Sequence, residues 1–219
     1  MAELLPWQRL TMESGLLLAA ASSIRLDAAE LHRQTMAAIA ATPPEARNRY
    51  GSEDGDWTAI TLVAKAGAYG SDAPLQRSPA LDHLPLLETA VLSLPGLQVE
   101  GSHIIRQPAG GFLRWHYDQQ ALHLPLARLL LAVQVPDEAF TWIGHEKLAF
   151  PAGTLWTGDF SQPHQVENPS NQDRLVIAVD VTVNDMVRSL FPPALYADAA
   201  GRQYRAQEGI NALLTARSG

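Results

Sequence analysis

Between residues 97 and 183 the chain is a succession of short apolar segments, each closed by turn residues before it grows long. They read "QVEGSHIIRQ", "FLRWHYDQQ", "HLPLARLLLAVQV", "AFTWIG", "KLAF", "GTLWTG", "HQVEN" and "RLVIAVDVTV". Segments of this length bounded by glycine, proline, asparagine and aspartate are strands rather than helices. Short strands spaced this way bury their apolar faces by pairing antiparallel and closing into a sandwich or barrel, with helices packed outside. The fold class is therefore mainly β with flanking helices.

The flanks fit that core. In "IRLDAAELHRQTMAAIAAT" a short strand runs into a helix, with Asp27 as N-cap, Glu30 three residues on as in a capping box, and Pro43 and Pro44 as the stop. "RNRYGSEDGDW" reads as a polar loop, "WTAITLVAK" (57–65) as a strand, and "AGAYGSDAPLQRSPA" as a long loop that is a candidate for function. A short helix is expected over 81–94, and the tail turns helical after Pro193. With 219 residues, 47% of them hydrophobic, the chain has enough apolar material for one large domain. We read 1–219 as that domain, with its core over about 57–183, an N-terminal strand and helix over 20–42, and a helical segment over 184–219.

Charge and cysteine content narrow the chemistry. The net charge is −7 and no run of lysine or arginine occurs, so a nucleic-acid partner is not expected. With no cysteine, disulfides, thiolate metal sites, iron–sulfur clusters and cysteine nucleophiles are all excluded, leaving His, Asp and Glu as metal ligands. The run "GLLLAAASSI" (15–24) is too short to span a bilayer and follows Glu3 and Glu13 rather than a basic region. It reads as the approach to the folded domain; no membrane partner and a cytoplasmic location are expected. Neither Gly-x-Ser-x-Gly nor a phosphate-binding glycine loop is present.

One constellation stands out. His116 and Asp118 lie two apart in "RWHYDQQ", where a strand would set both on one face. His164 opens "HQVEN", and ten positions later Arg174 opens an otherwise apolar strand. An arginine there needs its charge paired or used. The bland alternative is an arginine at a strand mouth in water. His32 and His83 fall on expected helices as surface or satisfied histidines, and His145 in a hairpin turn as exposed. The order His116-x-Asp118, His164, Arg174 matches two histidines and one carboxylate holding iron(II) with three adjacent positions open, followed by an arginine that grips a 2-oxo acid.

These residues, with "WTAITL", "LPG", "HLPL", "GTLWTGDFSQPHQVEN" and "DRLVIAVD", resemble the aspartyl/asparaginyl β-hydroxylase-like group of iron(II) and 2-oxoglutarate-dependent oxygenases, near the bacterial proline cis-hydroxylases. The resemblance runs from about Trp57 to Asp180. It implies a double-stranded β-helix of the jelly-roll or cupin-like type, with iron(II), 2-oxoglutarate as co-substrate and O₂. It makes His116, Asp118 and His164 the metal-binding and catalytic residues, with Arg174 and His123 contacting 2-oxoglutarate. In the family the strand after His-x-Asp carries Arg-x-His-x-Pro-Leu; here "ALHLPL" keeps His123, Pro125 and Leu126 but has Ala121 at the arginine position. Some animal members lack the carboxylate ligand, and halogenases replace it with a small residue; Asp118 sets this chain with the hydroxylases.

The reaction implied is hydroxylation of an unactivated C–H bond in an amino acid, peptide or amino-acid-derived small molecule, with release of succinate and CO₂. His103, Arg106 and Arg114 flank the expected metal and are candidates for a substrate carboxylate; the loop "AYGSDAPLQRS" and the segment with Arg188 are candidate lids. The C-terminal helix is a candidate homodimer contact. Two alternatives stay open: a cupin-like metal protein without 2-oxoglutarate chemistry, and a non-catalytic β-barrel binding protein with a structural metal site.

Overall fold

The strand Arg174–Thr182, RLVIAVDVT, is buried along almost its whole length, and the molecule is built around its two faces. A computed structural model describes residues 4–52 and 55–218. In chain order the strands are β1 (Ala19–Arg25), β2 (Asn48–Ser52), β3 (Gly55–Lys65), β4 (Leu75–Arg77), β5 (Gln98–Gln107), β6 (Phe112–His116), β7 (Leu126–Gln134), β8 (Phe140–Ile143), β9 (Glu146–Leu148), β10 (Thr154–Gly158), β11 (His164–Glu167) and β12 (Arg174–Thr182). The helices are α1 (Pro6–Ser14), α2 (Ala28–Ala41), α3 (Pro85–Leu87), α4 (Asp185–Ser189) and α5 (Ala199–Ser218).

The strand order is β1-β10-β7-β12-β5-β3, continued through the pairing of Gly55 with Leu113 into β6-β11-β8-β9, with β2 and β4 pairing β3. The described pairings are antiparallel, and neighbours in space are far apart in sequence, as in a jelly roll. The core is a double-stranded β-helix.

Register explains how β12 stays buried on both faces. Ile177 stands opposite Ile104 on β5 and Leu131 on β7, so the three share one face. That face packs against Leu31 and Ala38 of α2 and Leu81, Leu84 and Leu87 of the segment before β5. Val176 points the other way, into a second cluster with Leu18, Leu130, Ile143, Trp156 and Phe160. Each such buried side chain contributes roughly 1.5–3 kcal/mol by leaving water.

The N-terminal helix begins as expected: Asp27 accepts from the Glu30 N–H at 2.8 Å, a cap contributing about 1 kcal/mol. Glu30 turns instead to Arg33 and Gln34, so the capping box is only half made. The run read as an approach segment contains β1, an edge strand paired with β10, and α1 precedes it. The expected loop "RNRYGSEDGDW" is largely a hairpin of β2 and β3, whose cross-strand bonding outweighs its polar composition; its residues 53 and 54 lie outside the described residues. Over 81–94 the single expected helix is replaced by a 3₁₀ turn (Pro79–His83), the one-turn α3 and a π-turn (Glu88–Leu92). Pro85 has no N–H with which to continue the preceding turn.

At the C-terminus, Arg202 of α5 is fully buried. It pairs with Asp159 at 3.0 Å and donates to the carbonyls of Leu17, Ala194 and Ala197. Breaking such a buried pair costs about 3–5 kcal/mol. Gly209 brings the same helix close, since a Cβ there would meet the Pro163 ring at 3.0 Å, one residue before His164. No described helix is long and apolar enough to cross a membrane.

Candidate metal centre

β6 and β11 pair in a register that sets His116 opposite His164. Their ring centroids lie 4.0 Å apart. Strand alternation was the reason to expect Asp118 beside His116, but β6 ends at His116 and another device brings the carboxylate in. The Asp118 N–H donates to the Phe160 carbonyl at 2.9 Å, turning the chain so that Oδ2 lies 3.8 Å from His164 Nε2. One ligand atom from each of His116, Asp118 and His164 falls within 4.8 Å of the others.

The imidazoles are oriented for coordination. His116 Nδ1 is 2.8 Å from the Arg114 carbonyl and His164 Nδ1 is 3.1 Å from that of Gln162, which holds the protons on Nδ1 and leaves both Nε2 atoms as lone-pair donors. Burial, reinforced by His116 next to it, keeps His164 well below the usual histidine range and therefore neutral. Two neutral imidazoles and a carboxylate, with no sulfur, suit a first-row divalent metal such as iron(II).

The three ligands line one end of a cavity of about 300 Å³. Its walls come from alternate residues of strands in both halves of the barrel: Ile105 and Gln107 on β5, Arg128 and Leu130 on β7, His164 and Val166 on β11, Arg174 and Val176 on β12. Inward side chains at i and i+2 follow from the two-residue period of a strand.

Arg174 is 6% exposed. It donates to Gln107 Oε1 and to Thr141 Oγ1, each at 3.2 Å, and its Nε has no partner. No carboxylate answers its charge among the described residues, and burial pushes its pKa down to about 10. A buried cation held by two neutral oxygens, on a side chain that lines a cavity, fits the distal carboxylate of a 2-oxo dicarboxylic acid.

His123 is elsewhere. Its side chain is buried outside the cavity lining, with Nδ1 3.7 Å from Asp159 Oδ2 and no hydrogen-bond partner for either ring nitrogen. His123 thus stands apart from the cavity that the metal cluster lines, and the reason is local: "ALHLP" is a turn, with the Ala121 N–H donating to the Leu126 carbonyl, and the strand starts only at Leu126. The arginine on that strand is Arg128.

Arg128, which the sequence reading passed over, lines the cavity with Nη1 3.5 Å from Asp118 Oδ2. Asp180, 1% exposed, takes its Nε at 2.8 Å and Nη2 at 3.1 Å, while the Tyr69 hydroxyl reaches Asp180 at 3.2 Å from the 66–74 loop. Burial opposes the Arg128 charge, but Asp180 more than offsets it and holds its pKa above the usual value. The available signal was the charged pair itself: Arg128 and Asp180 interrupt two otherwise apolar strands and stand opposite each other in register. Thr141 and Gln107 gave no such signal.

The other candidates fall outside the cavity lining. Arg106 pairs with Asp173 at 2.6 Å, Arg114 stacks over Phe112, and half-buried His103 is pushed below its usual range by burial. His32 bonds Gln134, His83 is exposed, and His145, expected exposed, is half-buried against Thr11. Arg188 donates to the Leu122 carbonyl.

Comparison with known proteins agrees with this geometry. The family model described as aspartyl/asparaginyl β-hydroxylase matches residues 19–183. No curated protein matches the sequence. Similar solved structures include an oxidoreductase of the 2OG-Fe(II) oxygenase family from Burkholderia pseudomallei, 15% identical over 82% of this chain and 92% of that one, at a TM-score of 0.52. Another is the non-haem α-ketoglutarate-dependent epimerase SnoN from nogalamycin biosynthesis, 16% identical over 81% of this chain and 80% of that one, at 0.51. HygX from Streptomyces hygroscopicus, with nickel and 2-oxoglutarate bound, is 10% identical over 84% of this chain and 89% of that one, at 0.50. At such identities the likeness speaks for the fold, whereas the family match spans most of the chain. The chain belongs to the aspartyl/asparaginyl β-hydroxylase family of iron(II) and 2-oxoglutarate-dependent oxygenases.

Proposed function

We propose that this enzyme hydroxylates an unactivated C–H bond of an amino acid, peptide or amino-acid-derived small molecule, consuming 2-oxoglutarate and O₂ and releasing succinate and CO₂. The observation that carries the proposal is Arg174, a buried guanidinium without a counter-ion in the cavity that the His116, Asp118 and His164 cluster lines. A structural metal site gives no reason to keep such a cation in the interior, where it opposes folding.

His116, Asp118 and His164 would hold the iron through two Nε2 atoms and one carboxylate oxygen, a ligand set that leaves adjacent positions for the co-substrate and O₂. Iron(II), when bound, supplies the O₂ activation that oxidative decarboxylation of 2-oxoglutarate drives. Arg174 would hold the C5 carboxylate through its guanidinium, with the Thr141 hydroxyl as a further donor. Arg128 presents positive charge near the metal end, where the C1 carboxylate of the co-substrate would bring negative charge. Asp180 keeps that guanidinium from collapsing onto Asp118. Ile105, Leu130, Phe160, Val166 and Val176 line the remaining wall and exclude water from the reacting centre.

The test is succinate formation by purified protein with iron(II) and 2-oxoglutarate over a panel of amino acids and short peptides, with products searched for a gain of one oxygen. Substrate-stimulated succinate, lost in Asp118→Ala, is expected. Thermal shift with Mn²⁺, 2-oxoglutarate and both together separates the alternatives: synergy belongs to an oxygenase, and metal stabilisation indifferent to the oxo acid belongs to a structural site.

A further inference from the structure

On the far side of β5 from the metal, three arginines gather around a second pocket, of about 330 Å³, lined by Pro44, Arg47, Arg49, Thr58, Arg106 and Pro108. Register does the gathering. Arg49 stands opposite Thr58, and Thr58 opposite Arg106, so the three side chains form a row across β2, β3 and β5 on one face. Arg47 precedes Arg49 by two residues and completes the lining. Because Arg106 alternates with Ile105 and Gln107, which line the metal cavity, the two sites lie back to back through the sheet.

The register sets Arg49 and Arg106 on either side of Thr58, one strand apart from each other, and this chain is acidic overall, at −7. The cluster is therefore not a by-product of a basic surface. Its guanidinium groups are only partly committed. Arg47 donates through Nε and Nη2 to the carbonyls of Thr42 and Ile39, and Arg106 gives its Nε to Asp173. Among the described residues, Arg47 Nη1 and the terminal nitrogens of Arg106 have no partner, and Arg49 makes no hydrogen bond or ion pair at all. No carboxylate lines the pocket among those residues.

We propose that this pocket is a binding site for a compact multivalent oxyanion, a small molecule carrying phosphate or several carboxylates. Arg49 and the free nitrogens of Arg47 and Arg106 serve as its forked donors and the Thr58 hydroxyl as a fourth. Planar guanidinium forks match phosphate and carboxylate oxygens two at a time, and the pocket falls in the size range of small-ligand sites.

The test is isothermal titration of the full chain, without added metal and at fixed ionic strength, using inorganic pyrophosphate and, separately, citrate. Saturable one-to-one binding of at least one anion is expected, unchanged in Arg174→Gln and at least tenfold weaker in Arg49→Gln. Arg49 makes no hydrogen bond or ion pair through its side chain among the described residues, so that variant keeps the fold's polar contacts. A response to pyrophosphate alone makes the ligand a phosphate compound, a response to citrate alone a polycarboxylate, and either supports the site. No saturable binding of either anion, binding that Arg49→Gln leaves intact, or binding that Arg174→Gln abolishes overturns it.

Discussion

Replacing Arg174 by methionine separates the stability of this fold from its function. Burial brings Arg174 down from the ordinary arginine range to about 10. Each tenfold change in proton affinity corresponds to about 1.4 kcal/mol, so the buried charge opposes folding by about 3 kcal/mol. Methionine removes that cost in a similar volume. Against it stand the two hydrogen bonds to Gln107 and Thr141, each contributing about 1 kcal/mol. The metal-free Arg174→Met protein should therefore be as stable as the parent or about 1 kcal/mol more so, roughly 2–4 °C in Tm for a domain of this size. The liganded state reverses the order. With Mn²⁺ and 2-oxoglutarate at a hundred times its Kd, the parent gains about 2.7 kcal/mol from the oxo acid, and Arg174→Met gains nothing beyond the metal increment. Differential scanning fluorimetry over the four combinations reads both effects. A variant several degrees less stable without ligand, yet still stabilised by 2-oxoglutarate, would refute the assignment of Arg174 as a poised anion receptor.

Asp180→Asn should lower Mn²⁺ affinity 10–100-fold, because an Arg128 released from its buried partner turns to Asp118 and competes with the metal; unchanged Mn²⁺ titrations would count against that coupling. Tyr69→Phe removes only the outermost bond of the same chain and should cost about 1 kcal/mol in urea unfolding, with metal affinity kept within twofold. His123→Gln should leave the 2-oxoglutarate Kd within twofold, whereas Arg128→Gln should weaken it tenfold or more. Burial holds the folded-state pKa of His123 below that of the unfolded chain, so its neutral form supports folding above about pH 6.5, and that support is lost as pH falls through the folded value. Metal-free protein should thus lose up to about 1.4 kcal/mol per pH unit from this group on the acid side, and His123→Leu should show a shallower decline between pH 6.5 and 5.

What the sequence disclosed follows from the range of the forces involved. The short strands and the capped helix α2 were legible because pairing and capping leave local patterns: turn residues at fixed intervals, Asp27 before an apolar period. The hairpin of β2 and β3 was not, since "RNRYGSEDGDW" lacks apolar alternation and its strands exist through the sheet they join. Likewise, α1 is held by its packing against α5, a contact about two hundred residues away in sequence. The metal ligands were legible as a spacing, although Asp118 arrives by a turn anchored on Phe160 rather than by strand alternation.

His123 and Arg128 show how motif reading and charge reading point to different residues. A motif aligned by residue identity alone drew attention to a histidine that the fold buries beside Asp159. Nothing in that motif demanded an arginine on β7, yet Arg128 and Asp180 each interrupt a run of hydrophobic residues and stand opposite each other on β7 and β12. A charge inside such a strand is tolerated only when paired or when it serves a ligand. Arg128 does the first through Asp180, Arg174 has no carboxylate partner among the described residues, and on the proposed function the contrast divides their parts: one guanidinium is fixed before the co-substrate arrives, and the other would be completed by it.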